Sequence, residues 1–416
     1  MSAQPHLAGS LDPDFGDSGK YFPDFPGTGL LLVRALNTAS DGKIYFAGVN
    51  RVNRANGVDG YMLGRLGADG VPDLTFGDKG LVTDSFAGHA DSQVSSILLL
   101  EDGKILLLGS ANSGRSALAR YTHKGNLDVG FGKGGQTIID SAGAASLDQQ
   151  DPDAKTNVGG TSAPAQLLPD GKILLSNYRS FQGRIYRLLS DGKPDTSFSS
   201  VGYIIVRPPD GSDDWVYIRN VLVQADGKYL ACGNYKSAEI AFVARYTPDG
   251  LLDQSFGDKG FVSVKSDSGK LMHFIDMALQ PNQRILAIGT AHTKPYEGVM
   301  ASLEHDGSFN IQFNGGRPLY SQLDNKHTDW SNAVLQADGK ILVSGAVENQ
   351  DVKPYEAVLA RYEFNGKPDP AFNVTGCLRT GFRADSRVAM ALQRDGRILI
   401  AAMDKNDRPV ILRYLP

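Results

Sequence analysis

"NAVLQADGKILVSG", residues 332–345, reads as strand, tight turn, strand. Apolar arms, Val334 and Leu335 on one side and Ile341 to Val343 on the other, flank an Asp-Gly pair, the strongest short-range hairpin signal a sequence carries. Asp-Gly suits a two-residue loop, because such turns need positive φ at both central positions, and that turn is the expectation here. Downstream, "YEAVLARY" (355–362) supplies a third strand, and beyond the corner "PDPAFN" (368–373) a weaker fourth follows.

This unit recurs along the whole chain. The turn Asp-Gly-Lys or a variant begins at Asp41, Asp102, Asp170, Asp226, Asp338 and Asp395, with "PNQR" (281–284) in the one degenerate slot. An Arg landmark stands at 65, 120, 187, 245, 361 and 413, replaced by Ser302 in the fifth copy, and a Phe landmark at 15, 76, 131, 198, 256, 313 and 372. The mean period, about 59 residues, is too long for one solenoid coil and suits a four-stranded blade. Seven such sheets arranged radially predict an all-β, seven-bladed β-propeller of antiparallel four-stranded blades. The expected blades run approximately 31–84, 93–140, 162–206, 216–264, 272–320, 330–382 and 386–416 plus 11–24, forming a single domain over 1–416.

The last blade is split between the chain ends. "LDPDFGDSGK" (11–20) is corner chemistry with no strand before it, and "RPVILRYLP" (408–416) is a third strand with nothing after it. The N-terminal segment is therefore expected to complete the seventh blade and close the ring, leaving no open edge there.

Within each copy the Arg landmark lies eight residues before an Asp: Arg65 with Asp73, Arg120 with Asp128, Arg187 with Asp195, Arg245 with Asp253, and Arg361 with Asp369. Arg413 finds its Asp across the closure, at Asp12. In the fifth copy both change together, to Ser302 and Asn310, which predicts that the two side chains meet as a structural ion pair at the corner. The seven Phe residues are expected as apolar plugs between blades.

The combination "ARYTPDGLLDQSFGDKGFV" (244–262) followed by "LQADGKILVSG" (335–345) resembles the bacterial delta-60 repeat, a β-propeller repeat family. The likeness covers essentially the whole chain, departs most at the "PNQR" slot, and implies the fold without implying a reaction.

Composition excludes several classes of function. A net charge of −4 leaves no basic footprint for nucleic acid and no polybasic stripe for a membrane. No apolar run approaches the roughly 18 residues of a membrane span, and "MSAQPHLAGS" (1–10) has no signal-peptide pattern. Cys232 and Cys377 fall in different copies and read as free thiols, so the default expectation is a soluble, cytoplasmic protein, with non-classical export left open.

No hydrolase, zinc or Walker signature occurs, and no catalytic set, metal or cofactor is assigned. "GFGKGG" (130–135) spells the dinucleotide fingerprint but follows a corner and precedes the strand "QTIID", the wrong context for it. "NVT" (373–375) matches a glycan sequon, meaningful only in a secretory route. The acidic clusters Asp148, Asp151, Asp153 and Asp210, Asp213, Asp214 lack a calcium-loop pattern and read as solvated loops. His273 with Asp276, and His327 with Asp329, stand near ligand spacing. Residues three apart on a regular strand lie on opposite faces, so a metal there needs partners from neighbouring blades.

Departures from the repeat are where function can be written. "RPPDGSDDWVYIRN" (207–220), "SDSGKLMHFID" (266–276) and "SQLDNKHTDWSN" (321–332) precede the first strands of blades four to six and hold both Trp residues. Six residues before each turn the copies carry Ala35, Ser96, Pro164, Asn220, Asp276, Asn332 and Ala389, so one sector presents Asn, Asp, Asn at one axial level. "KPYE" occurs twice in the same sector, at 294–297 and 353–356. The expected site is a polar channel mouth flanked by aromatics: Trp215, Tyr217, Arg219, Asn220, His273, Asp276, His327, Asp329, Trp330 and Asn332, suited to a protein, glycan or small polar ligand. The plain alternative is that these residues only hold channel water. The expected function is a non-enzymatic recognition or scaffold module; the alternative is an enzyme, a lyase or glycan-active, using the axial pocket. A convergent acid and base with perturbed titration would mark the enzyme. The segment 140–164, small and polar, is expected as a flap or partner arm.

Overall fold

The computed structural model describes residues 7–25, 30–51, 60–86, 92–111, 115–139, 165–179, 182–210, 215–235, 240–265, 269, 271–349, 351, 354–384 and 387–416. The 140–164 segment, the 148–153 acidic cluster, Asp213, Asp214 and Lys353 lie outside these residues.

The chain folds as a β-propeller of seven four-stranded antiparallel blades. Blade one shows the pattern: Leu30–Thr38 innermost, then Ile44–Arg51, Gly60–Leu66 and Leu81–Asp84. The second and third strands are buried almost throughout, as Ile285–Ala291 and Ile240–Tyr246 illustrate, because each blade packs both faces against neighbours. This explains their continuous apolar runs, where a sheet with one wet face would alternate. Blades six and seven are joined by one further bridge, Arg383 with Met403.

The ring closes through the chain ends. Lys20–Tyr21 pairs with Pro409–Tyr414, Lys20 opposite Leu412 and Tyr21 opposite Ile411. Leu11 bridges Tyr414, Asp12 N–H donates to the Arg413 carbonyl at 2.9 Å, and Leu415 N–H donates to that of Ser10 at 2.9 Å.

The Asp-Gly-Lys turns correct one expectation. In the 336–340 turn, Gln336 N–H donates to the Lys340 carbonyl at 2.9 Å and Gly339 N–H to that of Gln336 at 2.9 Å, enclosing three residues. Only Gly339 has positive φ, at 84°, while the Asp338 carboxylate accepts the Lys340 N–H at 3.1 Å. The loop is a three-residue turn whose Asp acts as a side-chain brace, so one left-handed residue suffices instead of two. The degenerate slot keeps this turn: Gln283 takes the left-handed position at φ 67°, and Arg284 replaces Lys to pair with Glu304 at 2.9 Å.

At each corner the Arg landmark meets its Asp. Nε to Oδ2 distances are 2.9 Å for Arg65 and Asp73, 2.8 Å for Arg120 and Asp128, 2.7 Å for Arg187 and Asp195, and 2.7 Å for Arg245 and Asp253. They are 2.6 Å for Arg361 and Asp369, and 2.8 Å for Arg413 and Asp12. In blade five Asn310 donates to the Ser302 hydroxyl at 3.2 Å.

These corners also tie blade to blade. The guanidinium lies over the Phe landmark of its own blade, 4.5 Å from the ring centre for Arg245 over Phe256 and 4.6 Å for Arg413 over Phe15. In five of these corners, those of Arg65, Arg120, Arg187, Arg245 and Arg413, Nη1 donates onward to a carbonyl of the following blade, as Arg187 does to Pro248 at 2.7 Å and Arg120 to Ser190 at 2.5 Å. All seven Phe rings are buried, and Phe198 packs on Gly250 of the next blade, where φ is +84° and a Cβ would approach the ring to 2.6 Å.

Candidate functional site

The innermost strands of blades four to six, Val216–Val223, Met272–Leu279 and Thr328–Leu335, share a device that the hydrophobic pattern hides. Each slips register by one residue against its second strand, between Ile218 and Asn220, between Phe274 and Asp276, and between Trp330 and Asn332. Blades one and two carry the same bulge. Opposite each bulge the second strand has a glycine, Gly48, Gly109, Gly233, Gly289 or Gly345, where a Cβ would fall within 2.0 Å of an inner-strand carbonyl oxygen. The bulge is built by sequence: only a residue without Cβ admits the inner strand so closely.

The bulge resets strand alternation and corrects the expectation that residues three apart face opposite ways. His273 and Asp276 lie on the same side of their strand, as do Tyr217 with Asn220 and Asp329 with Asn332. Three consecutive blades thus carry two polar levels, one of Tyr217, His273 and Asp329, the other of Asn220, Asp276 and Asn332.

The second level laces the blades together. Asn220 Nδ2 donates to Asp276 Oδ1, and Asp276 accepts two backbone N–H groups at 2.9 Å, Met277 at Oδ1 and Ala333 at Oδ2. Asn332 donates to the Val388 carbonyl of blade seven at 2.6 Å. Burial pushes the Asp276 carboxyl up to about 6 despite these three hydrogen bonds and the pull of Arg387. Desolvation disfavours the carboxylate more than its donors favour it.

The first level is titratable as well. Thr290 Oγ1 donates to Asp329 Oδ1, and burial raises the Asp329 carboxyl above its usual range against that bond, Arg387 and His292. The His273 imidazole is held well below its ordinary value, first by burial, then by the charges of Arg219, His292 and Arg387. His292 is lowered by burial and Arg219, with Asp329 opposing. The two arginines are themselves shifted: burial lowers Arg219, and burial and Arg219 together bring Arg387 down to about 10. Six groups whose charges reach one another therefore converge from blades four to seven.

Rings extend the cluster. Tyr178 and Tyr217 stack with centres 4.2 Å apart, and Arg219 lies 5.4 Å over Tyr217. His273 meets His292 edge to face at 5.3 Å, His292 stacks on Tyr296 at 4.7 Å, and Tyr296 meets His327 at 4.6 Å, where His327 Nδ1 accepts the Tyr296 N–H at 2.9 Å. Tyr296 belongs to the first "KPYE". In the second, Glu356 is buried and spent on Arg379 at 2.7 Å, Asn349 at 2.6 Å and the Gly381 N–H at 2.7 Å, a structural knot.

Of the residues singled out by sequence, Tyr217, Arg219, Asn220, His273, Asp276, Asp329 and Asn332 gather on the inner strands, and His327 joins the ring series at its end. Trp330 does not belong with them: it is fully buried in the core between blades five and six, its Nε1 donating to Ser321 Oγ at 2.9 Å. Trp215 is half-buried just ahead of its strand. Arg387 and His292 were missed. His292 directly follows the second strand of blade five, and its nearness to "KPYE" was the available signal. Among the described residues no group of three His, Cys, Asp or Glu is set to hold a metal ion.

The fold and this sector define the class, a propeller with an irregular polar and titratable sector on its axis. More particularly, four stretches of the chain, residues 100–131, 168–198, 224–256 and 336–372, match the family described as a domain of unknown function (DUF5122) β-propeller. Each match runs from near an Asp-Gly turn to the Phe landmark. No curated protein matches the sequence. Among solved structures the chain is similar to a streptogramin B lyase, at 11% identity over 95% of this chain and 96% of that one with a TM-score of 0.51. It is likewise similar to a selenomethionine-substituted virginiamycin B lyase from Staphylococcus aureus, at 11% identity over 95% and 98% with a TM-score of 0.50. At such identity the likeness is one of fold. Among the described residues no helix is long and apolar enough to cross a membrane.

Proposed function

We propose that the protein is a recognition module that seats a small polar ligand, such as a glycan, at the axial mouth over blades four to six. The observation that carries this reading is the gathering of Arg219, His273, Asp276 and Asp329 on the inner strands of blades four to six, where alone among the described inner strands Asp and His occur, beside a series of half-exposed rings. Flat or sugar-like ligands suit such ring faces, and committed polar groups fix their orientation. The free thiols of Cys232 and Cys377 accord with a reducing, cytoplasmic setting. We also assign the chain to the delta-60 repeat proteins it resembles, because the copies outside the four matched stretches keep the same landmarks.

The test is a glycan-array and small-molecule screen of the full chain with Asp276→Asn in parallel. Ligands of this site lose about tenfold or more in affinity in the variant, as expected when a hydrogen bond to a charged group is removed. Ligands that bind both proteins equally overturn the reading.

A second reading has its own support. Asp276, raised to about 6, and His273, held low, are an acid and a base tuned in opposite directions within one sector, the pairing that acid–base catalysis uses. Incubating each screened ligand with the protein and following its NMR spectrum separates the two: a new covalent species that Asp276→Asn abolishes makes the module an enzyme, and an unchanged ligand leaves it a binder.

A further inference from the structure

Arg219 and Arg387 differ from the arginines of the corners. Arg219 Nε is buried without a hydrogen-bond partner, and among the described residues neither guanidinium forms an ion pair or donates a hydrogen bond. Carboxylates are near enough to act on Arg387, but none pairs with it among the described residues: Asp276 accepts from Asn220, Met277 and Ala333, and Asp329 Oδ1 accepts from Thr290. The two cations also repel each other. Arg219, whose buried Nε has no partner, and Arg387, half-buried with its N–H fork open, bring two like charges into one channel from blades four and seven, at a cost to a fold that keeps them empty. A bound anion relieves both terms, since the fork geometry of Arg matches the paired oxygens of carboxylate and phosphate.

Building on the ligand-binding reading above, we infer that the axial site is selective for a small organic anion, whose carboxylate or phosphate oxygens take the unpartnered N–H donors of Arg219 and Arg387 while its body lies against the Tyr217 and His292 rings. The chemistry is shared by sugar acids and sugar phosphates.

Isothermal titration of the full chain with glucose, glucuronate and glucose 6-phosphate keeps the sugar and changes the charge. Glucuronate and glucose 6-phosphate are expected to bind at least about tenfold more tightly than glucose, in line with charge-assisted hydrogen bonds to an anion. The order of the two anions tells carboxylate from phosphate. Arg387→Gln is expected to erase the difference between charged and neutral sugars, and Arg387→Lys, which keeps charge without the fork, to keep part of it. Arg408→Gln, at an exposed arginine paired with Asp404, serves as the control and leaves it unchanged. Equal or absent binding of all three sugars overturns the anion inference. The ligand-binding reading falls on a different result, screened ligands indifferent to Asp276→Asn, so the two failures are distinguishable.

Discussion

At the corner of blade four, Arg245 and Asp253 meet at 2.7 Å, the guanidinium lies over Phe256, and its Nη1 reaches the His305 carbonyl of blade five. On the inner strand of the same blade, Arg219 makes no ion pair among the described residues, and Asp276 on the next blade takes its hydrogen bonds from an amide and two backbone groups. One residue chemistry serves two ends. Repeated in six blades, Arg and Asp saturate each other and hold the disc together. On the axis, Arg219 and Asp276 form no ion pair with each other, and burial shifts both. Against the upward push of burial, Ser255, Lys228 and Arg245 hold the Asp253 carboxyl well below the usual carboxylate range, whereas burial drives Asp276 up to about 6. In a repeat architecture, chemistry that recurs belongs to the frame, and chemistry that breaks the recurrence is available for ligands.

The largest effects should come from breaking the frame. Deleting residues 1–24 removes both the outer strand paired with Pro409–Tyr414 and the partner of Arg413. Its denaturation midpoint is expected to fall further than that of Arg413→Ala, which leaves the buried Asp12 with Arg397, 2.9 Å away, as its remaining ion-pair partner and should cost about 1.5–3 kcal/mol in chemical unfolding. A truncated protein melting like the full chain would break the closure account. Next in size, Gly289→Ala puts a Cβ within 1.9 Å of the His273 carbonyl oxygen, and the forced shift should cost about 1–3 kcal/mol. It should also weaken any ligand that Asp276→Asn weakens, because both act on the same inner strand.

A smaller effect sharpens the contrast by restoring it. Ser302→Arg with Asn310→Asp should install the missing clamp of blade five, the double variant being more stable than the sum of the singles predicts by about 0.5–3 kcal/mol in a double-mutant cycle. Smallest is a pH effect of opposite sign in the two regions. A carboxyl raised on folding binds its proton more tightly in the folded state, so Asp276 stabilises the fold as pH falls from about 6 toward the unfolded value near 4, and penalises it above. The stability deficit of Asp276→Asn should therefore shrink between pH 5 and pH 8. Corner carboxyls run the other way: Asp253 and Asp369 are depressed, so their contribution is present above about pH 4 and is lost as pH falls through their low folded values. Asp253→Asn should lose its deficit in acid.

Much of the frame was legible because it is written seven times. The Arg and Asp spacing, its joint loss at Ser302 and Asn310, and an Arg413 with no Asp eight residues on together point to the corner pairs and the closure. What resisted reading was local backbone geometry. One left-handed Gly braced by Asp does the work for which two were expected. The bulge was hidden because a pattern of apolar and polar letters cannot display an extra residue, although the glycine within the strand after the turn in five blades, Gly48, Gly109, Gly233, Gly289 and Gly345, was its trace. Trp330 was misassigned for a reason the sequence contained: it is the immediate neighbour of Asp329 on a strand, and adjacent residues face opposite ways. Arg387 was missed because it precedes the seventh blade, outside the three consecutive blades whose connections drew attention.

The division between frame and site is tested most directly by carbon-13 NMR titration of the aspartate carboxyls in the full chain, with Asp276→Asn and Asp253→Asn assigning the two resonances. The account predicts that Asp276 titrates near 6 and that Asp253 stays ionised well below the ordinary carboxylate range. Midpoints near 4 for both would contradict it.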